Sequence, residues 1–185
     1  TLSTDSFWAD QYTQSGGTLS ANDRTANNHT ETAADAKQSP EVQEHSQYGG
    51  SLYNTNNFYA NDFYQQGGNL STDSFSASLY TQYDGSISAN DFYAYDYSQQ
   101  GGSLATNSFW ATQYDQSGGT LSANDFYASS AFNQASGELN ATNIVINTDG
   151  DLIQYGSIKA TNLTASSGGD VIFAGSNYLT GGTLN

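Results

Sequence analysis

Apolar and small polar residues recur in pairs along most of this chain, and the two members of a pair lie two residues apart. In the stretch GSLATNSFWATQYDQSG, residues 102–118, the pairs are Leu104 with Thr106, Phe109 with Ala111, and Tyr114 with Gln116. A spacing of two places both side chains on one face of an extended strand. Short gaps separate the pairs and a glycine pair ends the stretch, so the pattern predicts three short strands joined by sharp turns.

The same pattern returns at a fixed step along the chain. Related stretches begin at Gly68, Gly85, Gly102 and Gly119, which are 17 residues apart. Such a short step is typical of a solenoid, in which each repeat covers its neighbour, and it is too short for two helices with their turns. The sequence therefore predicts an all-β fold, a three-sided parallel β-helix of about ten rungs of 17–21 residues. The rule for parallel crossovers predicts a right-handed coil.

Variation between the copies indicates which columns of residues face the interior. The first aromatic position keeps its volume, as a close-packed interior requires, whereas the residue after it changes freely. This predicts an inner column of Phe7, Phe58, Phe75, Phe92, Phe109 and Phe126, and an outer column of Trp8, Tyr59, Tyr93, Trp110 and Tyr127, with Ser76 interrupting the outer column. A third column is predicted to point inward as a hydrogen-bonded amide ladder: Gln14, Gln65, Gln82, Gln99, Gln116 and Gln134.

The chain reads as a single solenoid over residues 1–185, with aromatic rungs over 1–136 and an excursion at 24–48. In the excursion Arg24 takes the phenylalanine position, and the inner columns are not filled again until Leu52. The sequence Ser39-Pro40-Glu41 is typical of a helix start and predicts a helix from about Ser39 to Glu44.

The excursion also concentrates basic and imidazole side chains on an otherwise acidic rod, namely Arg24, His29, Lys37 and His45. Insertions at the corners of solenoids often carry a distinctive function. One interpretation is therefore an ordered contact element for an acidic partner or a second copy. The other is a decayed rung that remains as a loop.

Aliphatic residues replace the aromatic ones over 137–185, and the step there lengthens to 19–21 residues. The motifs here read G-x-L-x-A and G-D-V-x-F, as in Gly137-Glu138-Leu139-Asn140-Ala141 and Gly169-Asp170-Val171-Ile172-Phe173. In this part the chain resembles the filamentous haemagglutinin-like repeats of large secreted adhesins of the two-partner-secretion type. The resemblance implies a β-helix stalk at the surface of a bacterial cell. Neither end of the chain reads as a polar cap, which favours a segment of a longer stack or a subunit that stacks end to end.

Composition narrows the functional classes. A net charge of -15 with only three basic residues argues against nucleic acid and anionic membrane surfaces as partners. The apolar runs are too short to insert in a membrane, and the chain has no cysteine. Neither histidine lies in a metal-binding spacing, and no catalytic motif is present. The sequence therefore predicts a protein that is not an enzyme and needs no cofactor.

Acidic and amide residues recur beside the inner phenylalanines, as in Asn90-Asp91 and Asn124-Asp125. Corner residues that bond their own backbone explain this pattern, and a column of calcium ligands is the alternative.

The outer aromatic column also supports two interpretations. Exposed contiguous rings usually mark a partner site, and flat rings suit sugars or a second protein. Aromatic residues also favour strands in the absence of any partner. We therefore expect an extracellular adhesive segment that binds a glycan or protein surface, or else a filament subunit whose rungs stack end to end. A carbohydrate-active enzyme is a weaker alternative, because its catalytic groups are missing.

Overall fold

The computed structural model describes residues 2–14, 17–37, 40–53 and 57–184, with side chains described over 45–51 and 57–183. Every strand pairing in this part of the chain is parallel, and its ordered elements are all strands. The protein is an all-β parallel β-solenoid, which confirms the predicted fold class.

Eleven strands are described, and one of them passes through several corners without a break. They are β1 Leu2–Gln14, β2 Gly17–Lys37, β3 Pro40–Tyr53, β4 Asn57–Gln65, β5 Asn69–Gln82, β6 Ser86–Gln99, β7 Ser103–Gln154, β8 Ser157–Ser167, β9 Val171–Phe173, β10 Ser176–Leu179 and β11 Gly182–Leu184. The solenoid has about eight turns, and β1 to β3 lie in the same parallel stack as the later strands. The number of turns differs slightly from the ten rungs expected from the sequence.

The register of pairing shows the three sides of each turn. Strand β5 pairs with β6 over 69–72, 74–77 and 79–82, always with the residue 17 positions later. Pairing lapses at 73, at 78 and at the glycine corner, so each turn has three short straight segments. In the C-terminal part the step is 19, as in the pairing of Leu139 with Ile158.

The prediction of a helix near Ser39 is wrong. Residues 17–37 and 40–53 are strands that pair in parallel with the turns on either side. Arg24 pairs with Phe7 on one side and with Pro40 on the other. Parallel pairing satisfies the backbone N–H and C=O groups whatever side chains they carry, so the stack continues through a polar stretch. Residues 38–39 lie outside the described part.

Two columns of rings fill the interior of the aromatic turns. Phe58, Phe75, Phe92, Phe109 and Phe126 stack with nearly parallel rings at centroid distances of 4.6–5.4 Å. A second stack consists of Phe63, Tyr80, Tyr97, Tyr114 and Phe132, and it meets the first edge to face. Offset stacks and edge-to-face contacts both suit the quadrupole of aromatic rings. The predicted inner phenylalanine column is confirmed from Phe58 onward, and the side chain of Phe7 lies outside the described ones.

Aliphatic side chains replace the rings in the last turns. Ile144, Ile158 and Leu163 are buried. The repeat pattern also predicts Val171 in the core, but Val171 is 45% exposed, because no described turn covers it on the C-terminal side.

The glycine corner brings the backbones of successive turns into contact. Gly102 has a φ of +71°, and a Cβ atom there would lie 2.6 Å from the carbonyl oxygen of Gly85. We expect Gly102→Ala to lower the free energy of unfolding by at least about 2 kcal/mol, since left-handed backbone alone costs about 1–2 kcal/mol for a side-chain-bearing residue. Urea unfolding of the two proteins measures this difference.

Gly150→Ala is the matched control. A Cβ atom on Gly150 would meet nothing within 4 Å, so its effect should stay within about 0.5 kcal/mol. Equal losses in the two variants would contradict the assigned role of the Gly102 corner.

Candidate binding surface

The outer aromatic column follows the inner phenylalanines by one residue and faces away from the core. Parallel pairing aligns Tyr59, Ser76, Tyr93 and Trp110 in successive turns. Tyr59 and Tyr93 are 47% and 39% exposed, whereas Trp110 and Tyr127 are half-buried. The structure therefore places these four predicted binding residues together on one side of the rod. The side chain of Trp8 lies outside the described ones.

Three of these rings stack on one another. Tyr93 lies 4.4 Å from Trp110 with an interplanar angle of 7°, and Trp110 lies 6.1 Å from Tyr127 with an angle of 8°. The ring faces therefore cover each other, and the ring edges point to solvent. This differs from the expectation that flat faces would be offered to a sugar along the whole column, because a step of about 4.8 Å between turns leaves no room between neighbouring rings.

A groove of about 430 Å³ runs along the rod beside these rings. One wall is the outer aromatic column from Ser76 to Val145. The opposite wall is a polar column two residues earlier in each turn, and the floor is the backbone of the inner phenylalanines, whose rings point into the core. The polar wall consists of Ser74, Asp91, Ser108, Asp125 and Asn143. Asn143 Nδ2 donates to Asp125 Oδ1 at 2.8 Å, which ties two turns together along this wall.

The groove is acidic. Asp91 and Asp125 stand on its polar wall, and Lys159 is the one Lys or Arg whose side chain is described. Lys159 lines a different surface depression together with Glu138. An acidic groove with one aromatic wall favours neutral or basic partners over anionic ones.

The predicted amide ladder is present and longer than expected. Its side chains are fully buried, and from Gln65 onward each Nε2 donates to the Oε1 of the preceding turn at 3.0–3.3 Å. The members are Gln47, Gln65, Gln82, Gln99, Gln116, Gln134 and Gln154. Gln47 and Gln154 were missed, although each follows a core position by two residues like the others. The ladder is a structural element, and the side chain of Gln14 lies outside the described ones.

Two buried tyrosines join this ladder. The Tyr97 hydroxyl donates to Gln99 Oε1 at 3.0 Å, and the Tyr114 hydroxyl donates to Gln116 Oε1 at 2.8 Å. Burial, with smaller contributions from Tyr80 and Tyr114, raises the pKa of Tyr97 well above its ordinary value. Burial likewise raises the pKa of Tyr114 and of Tyr80.

The raised pKa values predict a loss of stability in alkali. Below the unfolded pKa of about 10 these tyrosines are protonated in both states. As the pH rises further, the unfolded chain loses their protons while the folded chain retains them, so the free energy of unfolding falls. We expect Tyr97→Phe to make this fall shallower by about 1.4 kcal/mol per pH unit.

Urea unfolding at several pH values above 10 measures that slope. Tyr95→Phe is the control, since Tyr95 is 48% exposed and only two residues away. An unchanged slope in Tyr97→Phe would contradict the burial of an un-ionised phenol at this position.

The corner asparagines were predicted to hydrogen-bond to their own backbone. Instead, their side chains hydrogen-bond to one another along the rod. Asn107 Nδ2 donates to Asn90 Oδ1 at 3.3 Å, and Asn124 Nδ2 donates to Asn107 Oδ1 at 3.2 Å. The equal step of the turns places identical amides within hydrogen-bond distance of each other. Within the described residues, no three His, Cys, Asp or Glu side chains converge on a point that a metal ion would occupy.

Of the four predicted contact residues of the excursion, His45 is the one whose side chain is described. His45 is fully buried and stacks on Phe63 at a centroid distance of 5.0 Å, so it belongs to the core. The side chains of Arg24, His29 and Lys37 lie outside the described ones.

A fixed step, parallel pairing throughout and stacked inner columns define this chain as a β-solenoid repeat protein with a tyrosine and phenylalanine core. A scan against protein-family models, a search of curated proteins and a search of solved structures each found no match to it. The resemblance of residues 137–185 to filamentous haemagglutinin-like repeats therefore does not assign the chain to that family.

No helix in the described part of the chain has the length and apolar character needed to cross a membrane.

Proposed function

We propose that this chain is a non-enzymatic, structural and adhesive segment of a secreted bacterial surface protein, and that it binds its partner in the groove beside Trp110. The observation that carries the proposal is the groove itself. It follows the rod over several turns, and an apolar wall of outer rings stands opposite a polar wall. Exposed apolar surface of this extent usually marks a site of interaction.

The geometry favours an extended partner that lies along the rod. The polar wall repeats at every turn, so it offers hydrogen-bonding groups at a step of about 4.8 Å. The stacked rings offer their edges, which pack against any apolar part of a partner. A glycan chain or an extended segment of a surface protein has this shape. The resemblance of residues 137–185 to adhesin repeats supports the extracellular location.

The test compares two triple variants on a printed array of glycans and extracellular proteins. Changing Tyr93, Trp110 and Tyr127 together to Ser should abolish binding and leave the chain folded, with a melting temperature lower by about 10 °C or less. The control changes Tyr48, Tyr83 and Tyr155 to Ser, which are 46%, 45% and 54% exposed and lie outside the groove. Retained binding in the first variant, or equal loss in both, would show that the groove is not the binding site.

The alternative that we propose is a filament subunit whose turns stack end to end. Val171 pairs with Leu152 and Leu179 pairs with Ala160, so both stand at positions that are core positions one turn earlier. They are nevertheless 45% and 38% exposed. A turn from a second copy would bury them and extend the parallel pairing by β-augmentation.

Analytical ultracentrifugation and negative-stain microscopy distinguish the two proposals. A filament subunit gives long uniform threads, and Val171→Asp combined with Leu179→Asp should reduce them to short rods. Short rods at every concentration of the unmodified chain would exclude the filament.

A further inference from the structure

The outer aromatic column has an interruption at Ser76. Tyr59, Ser76 and Tyr93 occupy the same position in three successive turns. One face of the Tyr93 ring stacks on Trp110 at a centroid distance of 4.4 Å. The other face is directed at the preceding turn, which carries Ser76 at this position. Among the described aromatic side chains of the column, Tyr59 and Tyr93 have the largest exposed fractions, 47% and 39%. The interruption therefore leaves a gap at Ser76 between the positions of Tyr59 and Tyr93.

The width of this gap follows from the spacing of the turns. Two strand spacings of about 4.8 Å separate the positions of Tyr59 and Tyr93 by about 9.6 Å. One inserted ring that makes carbon contacts of about 3.5–4.0 Å on both sides uses about 7–8 Å of this distance. A puckered six-membered ring takes up more of the remaining distance than a planar group does. The gap is thus one ring deep and fits a chair better than a flat group.

Polar groups line the same gap on one side. Asn57, Ser74 and Asp91 each precede a member of the column by two residues and therefore face the same way. Asn57 and Asp91 are exposed, and Ser74 is half-buried. An amide, a hydroxyl and a carboxylate offer donors and acceptors for neighbouring hydroxyl groups. The carboxylate, on a chain with a net charge of -15, disfavours acidic sugars.

We propose that the gap over Ser76 is a subsite for one neutral hexopyranose with all its hydroxyl groups equatorial. Such a ring has axial C–H groups on both faces, one for each tyrosine, and its equatorial hydroxyl groups reach the polar wall. An axial hydroxyl group would point at one of the two rings and remain without a hydrogen-bond partner there. This inference rests on the proposed function of the groove and names the ligand class at its Ser76 end, where Tyr59 and Asn57 extend it by one turn.

The probe is methyl β-D-glucopyranoside, titrated into the isotopically labelled chain and followed by NMR. We expect shifts at Tyr59, Ser76 and Tyr93, and binding of methyl β-D-galactopyranoside that is weaker by about fivefold or more. Ser76→Tyr should fill the gap, keep the fold, and weaken glucoside binding by at least about tenfold. Ser71→Tyr is the matched control at an exposed position of the same turn and should bind like the unmodified chain.

Three results would overturn the subsite. They are unchanged glucoside binding in Ser76→Tyr, equal binding of the two sugars, and shifts at these residues from an arginine-containing peptide but from neither sugar. If the Tyr93, Trp110 and Tyr127 variant loses array binding while Ser76→Tyr binds the glucoside normally, the groove stands and the subsite is wrong. If that triple variant keeps array binding, the proposed function is wrong, and the glucoside titration still decides the subsite.

Discussion

Phe92→Ala should lower the free energy of unfolding by about 3–5 kcal/mol, the range measured for buried aromatic residues. Phe92 is 2% exposed and contacts rings on four sides. It stacks on Phe75 at 4.6 Å and on Phe109 at 5.4 Å, and it meets Tyr80 and Tyr97 edge to face. The turns above and below hold the backbone in place, so the cavity cannot collapse fully. Urea denaturation followed by far-ultraviolet circular dichroism measures the loss.

Tyr93→Ala provides the matched comparison, because Tyr93 is the next residue on the same strand and faces outward. Its ring stacks on one neighbour in the outer column, Trp110, and losing that contact should cost about 1 kcal/mol. If Tyr93→Ala proved more destabilising than Phe92→Ala, the assignment of inner and outer columns would be reversed. A far-ultraviolet spectrum dominated by helix would contradict the fold as a whole.

The sequence was sufficient to predict the turn and its columns because the step is constant. With a fixed step, a residue type that persists at one position, such as Phe at 75, 92 and 109, must share its environment with its neighbours. The same reasoning placed the glutamine column inside. Both predictions depend only on the alternation of side chains along a strand and on side-chain volume, and both can be read from the sequence.

The stretch 24–48 was misinterpreted because the prediction relied on the first aromatic position. Arg24 and Pro40 stand there, and Ser39-Pro40-Glu41 resembles a helix start. The third pair of the pattern nevertheless persists in this stretch, since His45 and Gln47 repeat the spacing of Tyr97 and Gln99. Backbone pairing with the turn on each side outweighs a local helix preference. A prediction from the residues of one segment does not include the stabilisation by neighbouring turns.

The orientation of the outer rings could not be predicted from the alternation pattern either. Alternation predicts that Tyr93 and Trp110 point outward, but it does not say whether their faces or their edges meet solvent. The spacing of the turns decides this, because rings one step apart stack on each other and rings two steps apart leave a gap. The asparagine columns follow the same rule, with Asn90 and Asn107 bonded between turns rather than within one.

Gln99→Leu should lower the free energy of unfolding by about 3–6 kcal/mol, although it replaces a polar side chain in the core by an apolar one of similar size. The amide of Gln99 donates to Gln82 Oε1 at 3.1 Å and to the Thr120 carbonyl at 3.2 Å, and it accepts from the Tyr97 hydroxyl. Leucine would leave these three buried groups without this partner, at about 1–2 kcal/mol each, the lower part of the range for an unpaired buried group. Gln100→Leu is the control, since its side chain is exposed at the adjacent corner.

A double variant separates the loss of hydrogen bonds from a loss of packing. Tyr97→Phe removes one of the groups that Gln99→Leu leaves unpaired, so the two changes together should be about 1 kcal/mol less destabilising than the sum of the single changes. Strict additivity would mean that the hydrogen bond between the Tyr97 hydroxyl and Gln99 does not stabilise the fold. Equal losses in Gln100→Leu and Gln99→Leu would mean that the ladder does not contribute to stability. The expected coupling would instead show that the ladder is a cooperative network, in which each amide hydrogen-bonds to the turn before it and to the turn after it.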